Sequence, residues 1–369
     1  MFRFIKKYKN NIGTIVAEIF IVFVGISISM NIDNWREAKE NRTKERAYIQ
    51  DLYYDITDDL VRMNERINHI SSGRTRIAVL FTAMHFPDSI QITQKEFKFI
   101  MGRSLQLETF ETCNYTFLDI SSTGNTKLIK NAQIRKLMYM YYGKVKLLND
   151  MEDINNKSCS EIVANDLLKI FPYRELFNAS GVFNANGVFD GIEHLQETDL
   201  SFFRSPYSEK YIHLENAMLT RARQFSDESK AISQTADPGL ELRKLLGQCL
   251  KLPDEEEFVK ELIKKNLRAK DLLKQYQEKF PEYILLEVLI NKEIYKIIDT
   301  HPKVALDLAL LNTETYPDSP NVFDSLGDCF IANQDKENAL KNYKLAYEMD
   351  PILFETRSKI EKLELEWKK

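Results

Sequence analysis

Apolar positions along this chain follow three patterns in succession: an unbroken run, a long stripe at helical spacing, and short helical pairs towards the C-terminus. The run is Ile12–Met30, nineteen residues interrupted by the single acid Glu18. As a helix it measures roughly 28 Å, close to the ~30 Å of a bilayer's hydrocarbon core. Eleven of its residues are Ile, Val or Phe, and each favours insertion by about 0.3–0.6 kcal/mol near a helix centre. An acid at the centre costs about 2.5–3.5 kcal/mol, and Glu18 sits off-centre, so insertion wins. A cleaved signal peptide is the rival reading, because Ser27-Ile28-Ser29 loosely matches a small-x-small cleavage site. The internal acid and the length of the run argue against it.

Thr14, Glu18, Gly25 and Ser29 share one face of this helix, and Gly13/Ala17 and Gly25/Ser29 are small-xxx-small pairs. Such pairs let membrane helices approach closely, and an intramembrane acid seeks a partner. The face therefore predicts a transmembrane contact, including homo-oligomerisation. The competing reading is a Glu18 that snorkels to the headgroups. Arg3, Lys6, Lys7 and Lys9 precede the run with no acid among them. Five basic residues follow by position 46, interleaved with Asp33, Glu37, Glu40 and Glu45. The undiluted basic N-terminus favours an N-in, inner-membrane protein with its bulk outside, in the periplasm. Trp35 suits the far interface.

The second pattern begins at Ile49. Ile49, Leu52, Ile56, Leu60, Met63, Ile67 and Ile70 recur at spacings of three and four, which predicts an amphipathic helix continuing from the anchor as a stalk. The stripe is short for a coiled coil, so packing within a helical bundle is expected. Asp58-Asp59 reads as part of the solvated face. His85-Phe86-Pro87-Asp88 breaks the pattern, and Thr93-Gln94-Lys95-Glu96 is a capping box that opens another helix. Residues 114–126 predict a helix running into a glycine-terminated turn at Gly124. Asn131 caps a helix over Ile134–Leu148, whose aromatic side carries Tyr139, Tyr141 and Tyr142.

Between Asn178 and Gly191 a doubled Gly-Val-Phe predicts a turn-rich excursion or hairpin. A calcium loop through Asn184, Asn186 and Asp190 is the sharper alternative, but it lacks dense acids and a terminal Glu. A helical pattern resumes over Tyr211–Ser233, and Thr235-Ala236-Asp237-Pro238-Gly239 predicts a domain boundary. The expected organisation is a basic cytoplasmic N-terminus (1–11), a transmembrane helix (12–30), a helical bundle (31–235), a linker or boundary (236–249) and a tetratricopeptide-like repeat region (250–369). The fold class is all-α.

The third pattern is the most specific. Phe323, Leu326, Gly327, Phe330, Ala339, Tyr343, Ala346 and Pro351 fall at the spacing of a tetratricopeptide repeat, a helix pair of about 34 residues. Small residues at 327 and 339 let the paired helices approach, and Pro351 ends the second helix. Thirty-four residues earlier, Ala305-Leu306 and Pro317 match Ala339-Leu340 and Pro351; Lys292-Glu293 replaces the Leu-Gly pair. A fainter third unit places Ala269, Asp271, Leu272 and Pro281 in register. The wording over Tyr316–Asp328 resembles tetratricopeptide tails of some bacterial serine hydrolases of the β-lactamase type, but no Ser-x-x-Lys occurs in the chain.

Composition narrows function mainly by exclusion. With 51 Lys and Arg against 55 Asp and Glu the net charge is −4, so no basic domain suggests nucleic acid. Cys113, Cys159, Cys249 and Cys329 have no zinc spacing, permit one or two disulfides and imply none. The five histidines form no His-x-x-x-His pair, and phosphate loops, dinucleotide fingerprints and nucleophile elbows are missing from the sequence. No cofactor is called. The acids after Pro253 predict a helix N-terminus.

Glu18–Ile28, Asn34-Trp35-Arg36-Glu37 and the segment Leu118–Tyr142 with its core Ser121–Asn131 together resemble a widespread bacterial family of single-anchor membrane proteins classed as a domain of unknown function. The resemblance covers about residues 1–150 and implies a membrane-anchored helical protein, with no activity attached. The expected function is a non-enzymatic, membrane-anchored interaction or scaffold protein that presents its C-terminal repeats to a protein partner. The alternative is a ligand-sensing helical ectodomain, with a small molecule bound near Tyr139–Tyr142, signalling through a membrane partner.

Overall fold

A computed structural model describes residues 2–88, 91–107, 109–172, 199–350 and 353–367. Its described residues are helical, with no strand. The first helix, α1 (Phe2–His85), runs unbroken for 84 residues, so the apolar run and the amphipathic stripe are one rod. Among the described residues one helix is long and apolar enough to cross a membrane, and none of its apolar window from Val16 onwards is buried within the protein.

From Ile49 onwards α1 enters a bundle. The remaining helices there are α2 (Gln94–Ser104), α3 (Tyr115–Ser122), α4 (Ala132–Ile162) and α5 (Glu209–Leu250). A π-turn over Val163–Leu167 extends α4 to Ile170. Helix α5 packs along both α1 and α4, and α2 and α3 close against α1. Local signals in the sequence set most of the boundaries. Thr93 and Glu96 form a reciprocal capping box at α2, Asn131 accepts from the Gln133 and Ile134 amides at α4, and Gly124 turns in the left-handed region at φ 71°.

Residues 236–249 are not a linker: they lie inside α5, with Pro238 in the helix interior. A proline there removes one backbone hydrogen bond and usually kinks or breaks a helix. Here Pro238 and Gly239 are buried at the point where three helices meet. A Cβ on Gly239 would come within 2.9 Å of the Tyr141 ring and 3.2 Å of Leu60. The dipeptide that reads as a break thus permits close approach of α1, α4 and α5, and packing outweighs local propensity.

The C-terminal part is a succession of short helices: α6 (Glu255–Lys265), α7 (Ala269–Gln277), α8 (Glu287–Ile297), α9 (Pro302–Thr315), α10 (Pro320–Ala332), α11 (Lys336–Met349) and α12 (Phe354–Trp367). Asp254 caps α6, as the acidic run predicts. Each helix from α8 on packs against the next in sequence. One hydrophobic core runs from Ile49 through Cys329, and Ala339, Leu340, Tyr343, Ile360 and Leu363 form a second cluster.

Candidate functional site

The two ends of the molecule meet along α1. Buried Arg243 of α5 donates to Glu255 at 3.1 Å and to the Ile284 carbonyl at 2.9 Å, and Glu255 accepts from the Leu286 amide at 2.9 Å. Asn64 of α1 donates to Glu287 at 2.8 Å. Further along α1, Ser72 donates to Asp350, the residue that follows α11. Between these ties lies an open cleft of about 790 Å³, within the usual range for a ligand site. One wall is α1 from Leu60 to Thr75; the other is the N-terminal ends of α8, α10 and α12, including Glu287, Asn321 and Glu355. A second cavity of about 520 Å³ adjoins it, sharing Asn68, Ser72, Glu287 and Asp350.

The residues that the repeat spacing singles out gather on α10 and α11. Leu326, Gly327, Ala339, Tyr343 and Ala346 are buried, and Phe323 and Phe330 are half-buried. A Cβ on Gly327 would overlap the Tyr343 ring, so glycine is what lets α10 and α11 approach. The Tyr343 hydroxyl donates to Asp328 at 2.7 Å. Lys359 of α12 reaches Asp324 and Asp328 at 2.8 and 2.9 Å. Pro351 lies outside the described residues, as do Asn184, Asn186 and Asp190 of the calcium alternative and the doubled Gly-Val-Phe.

In the apolar run, Glu18, Gly25 and Ser29 are exposed, and nothing lies within 4 Å of where a Gly25 Cβ would be. Thr14 belongs to the same helix. Tyr141 and Tyr142 are core residues, Tyr139 is exposed, and none of the three lines either cavity.

Asp59 corrects the reading of Asp58-Asp59 as a solvated face. Its neighbour is half-exposed beside Arg62, but Asp59 is fully buried. It accepts from the Thr112 hydroxyl at 2.6 Å, the Cys113 amide at 2.7 Å and the Tyr141 hydroxyl at 2.8 Å. Burial pushes its carboxyl up to about 6, against the lowering effect of those three donors. Burial and the nearby Asp58 likewise push the Cys113 thiol up to about 12, which keeps it protonated and a poor nucleophile. A second buried polar cluster joins α1, α4 and α5: Arg66 meets Glu152 and Glu228 at 3.6 and 3.0 Å, and Arg221 reaches Glu228 at 3.4 Å. These charges are paired across helices and hold the bundle's register.

Sequence spacing does contain the signal for Asp59. It falls three residues after Ile56 and four before Met63, inside the apolar stripe. Among the described residues no three His, Cys, Asp or Glu side chains gather as a metal site. Fold and site together define an all-helical protein with one helix of membrane-crossing length and composition and an open cleft beside that helix's continuation. Comparison with protein-family models, with curated proteins and with solved structures finds no match.

Proposed function

We propose that the protein is a non-enzymatic interaction or scaffold protein of the bacterial inner membrane, anchored by residues 12–30 with its N-terminus inside and its bulk in the periplasm. On this reading residues 250–369 are a tetratricopeptide-like region that presents a helical surface to a protein partner. The supporting observation is the cleft itself: three helix N-termini of the C-terminal region face the rod that carries the apolar run, leaving room for an extended segment. The overlap that a Gly327 side chain would make with Tyr343 fits the close helix pairing of such repeats. Membership of the single-anchor family would agree with this architecture, and the face of Thr14, Glu18, Gly25 and Ser29 would serve association within the membrane.

The test uses the full chain in its native membrane, with a photo-crosslinking residue at exposed Glu355 in the cleft and, as control, at exposed Lys230 on the bundle. A discrete protein adduct from position 355 and none from 230 is expected. Identical patterns from both positions, or no adduct from either, would overturn the partner reading. Glu18→Leu in the same preparation reports on the membrane face through loss of co-purifying chains.

A further inference from the structure

Besides Arg66, three arginines are more than nine-tenths buried among the described residues, and two of them are saturated. Each guanidinium nitrogen of Arg221 donates: Nε to the Ser104 carbonyl, Nη1 to Gln224 and Glu228, Nη2 to the Gln106 carbonyl. Arg243 is equally complete, through Thr57, Glu255 and the Ile284 carbonyl. Arg76 differs. It is 7% exposed, and its Nε and Nη1 are shielded from solvent with no acceptor. Its one ionic neighbour among the described residues, Asp350, stands 4.0 Å from Nη2, beyond hydrogen-bonding range, and already accepts from Ser72. The Phe99 ring lies 5.3 Å from the guanidinium carbon and offers no lone pair. Arg221 and Arg243 serve structure by filling every donor; Arg76, which lines the 520 Å³ cavity, keeps two donors without an acceptor.

The rest of that cavity sets the chemistry of an occupant. Arg103, exposed and donating to Gln106 at 3.4 Å, lines it too, close enough for its charge to act on Arg76. The acidic lining includes Glu65, Glu287 and Asp318. Glu65 feels the charges of the other two, and burial with those charges raises its carboxyl above the ordinary range despite Arg62. Glu287 accepts from the neutral donors Asn64, Ser319 and Asn321, and no cation among the described residues pairs with it. With Asp350, four carboxylates face two arginines and His69. A bare anion would be repelled by the acidic side, and a bare cation would leave Arg76 unanswered.

We infer that this cavity binds a small zwitterion, a free α-amino acid or a short peptide, with its carboxylate on Arg76 and its ammonium group towards Glu65 and Asp318. Arginine recognises carboxylate through paired N–H donors, and a partly dry cavity strengthens both poles. The inference stands apart from the protein-partner reading, which concerns the larger cleft. It relocates the ligand-sensing alternative from the tyrosines of α4 to the junction of α1 with the C-terminal helices.

The experiment is calorimetric titration and thermal unfolding of the full chain in detergent. Its arms are the individual amino acids, a dipeptide pool, and acetate and ammonium as single-pole controls. Saturable binding and a raised melting temperature are expected with a zwitterion and not with either control; the responding arm names the source. Arg76→Gln is expected to weaken binding by about tenfold or more, and Glu65→Gln to weaken it while acetate stays inert. Should Arg76→Gln fail to fold, the exposed Arg103→Gln decides, with weakened binding expected. No binding in any arm, or equal binding by the wild type and these variants, overturns the inference. Photo-crosslinking from position 355 reports separately on the protein partner, so the two can fail independently.

Discussion

The two halves of α1 share one helical geometry and live by opposite rules. In the N-terminal half Ile19, Phe20, Ile21, Val22 and Phe23 are each at least 60% exposed. In the C-terminal half Leu52, Ile56, Met63, Ile70 and Leu80 are at most 1% exposed, on one stripe. A helix that is apolar all round needs a solvent that is itself apolar. One with a single apolar stripe needs protein on that stripe and water opposite. The rod is continuous in backbone, and its two halves call for different surroundings where the pattern changes.

The comparison is broken most directly by truncating one isoleucine in each half. Ile56→Ala should lower unfolding stability by about 2–5 kcal/mol, since it opens a cavity in the core. Ile21→Ala should leave the denaturant midpoint of the bundle unchanged, and equal losses would mean that the run is buried in the protein. Next in size, Ile21→Arg places a charge in the middle of the run and should cost about 2.5–3.5 kcal/mol of insertion, read as chain released into the soluble fraction.

A third prediction concerns Asp59, the acid inside the stripe. Its folded-state carboxyl titrates at about 6, above the ordinary value of about 3.9, so the folded state holds the proton more tightly than the unfolded one. Stability should therefore fall as pH rises from about 4 to 6, by roughly 2–3 kcal/mol from this group. Asp59→Asn should flatten that interval in unfolding measured at both pH values.

The smallest effects separate two glycines of the rod, Gly73 and Gly25. A Cβ on Gly73 would come within 2.6 Å of the Phe225 ring, so Gly73→Ala should cost about 1–3 kcal/mol through overpacking. Gly25 faces open space, and Gly25→Ala should gain up to about 1 kcal/mol of helix propensity. Weaker self-association of Gly25→Ala in membranes would instead place a second helix on that face.

Much of the local structure was legible in the residues. Thr93 with Glu96, Asn131, Gly124 and Asp254 each act within a few residues of themselves, and each does what its chemistry predicts. The apolar run and the stripe were legible for the same reason, because periodicity is a property of one segment. Pro238-Gly239 and Arg76 were not, and Asp59 was legible only as an acid lying inside the stripe. Asp59 is interior because Thr112, Cys113 and Tyr141 arrive to receive it. Pro238-Gly239 stays helical because Tyr141 and Leu60 close on it. Arg76 reads as one more polar residue of a helix until Phe99, Asp350 and the cavity wall surround it.

The sequence by itself determined an all-helical chain, a helix with the length and composition to cross a membrane, and the caps and turns that punctuate the rest. These rest on short-range forces: hydrogen bonding within a helix, side-chain propensity, and transfer of apolar groups out of water. Tertiary structure alone decided that α5 runs through a proline and a glycine, which donors meet the buried Asp59, and that a cavity lined by Arg76 and Arg103 forms beside α1. Burial and desolvation are collective; they depend on which distant segments meet, and a single segment carries no record of its neighbours.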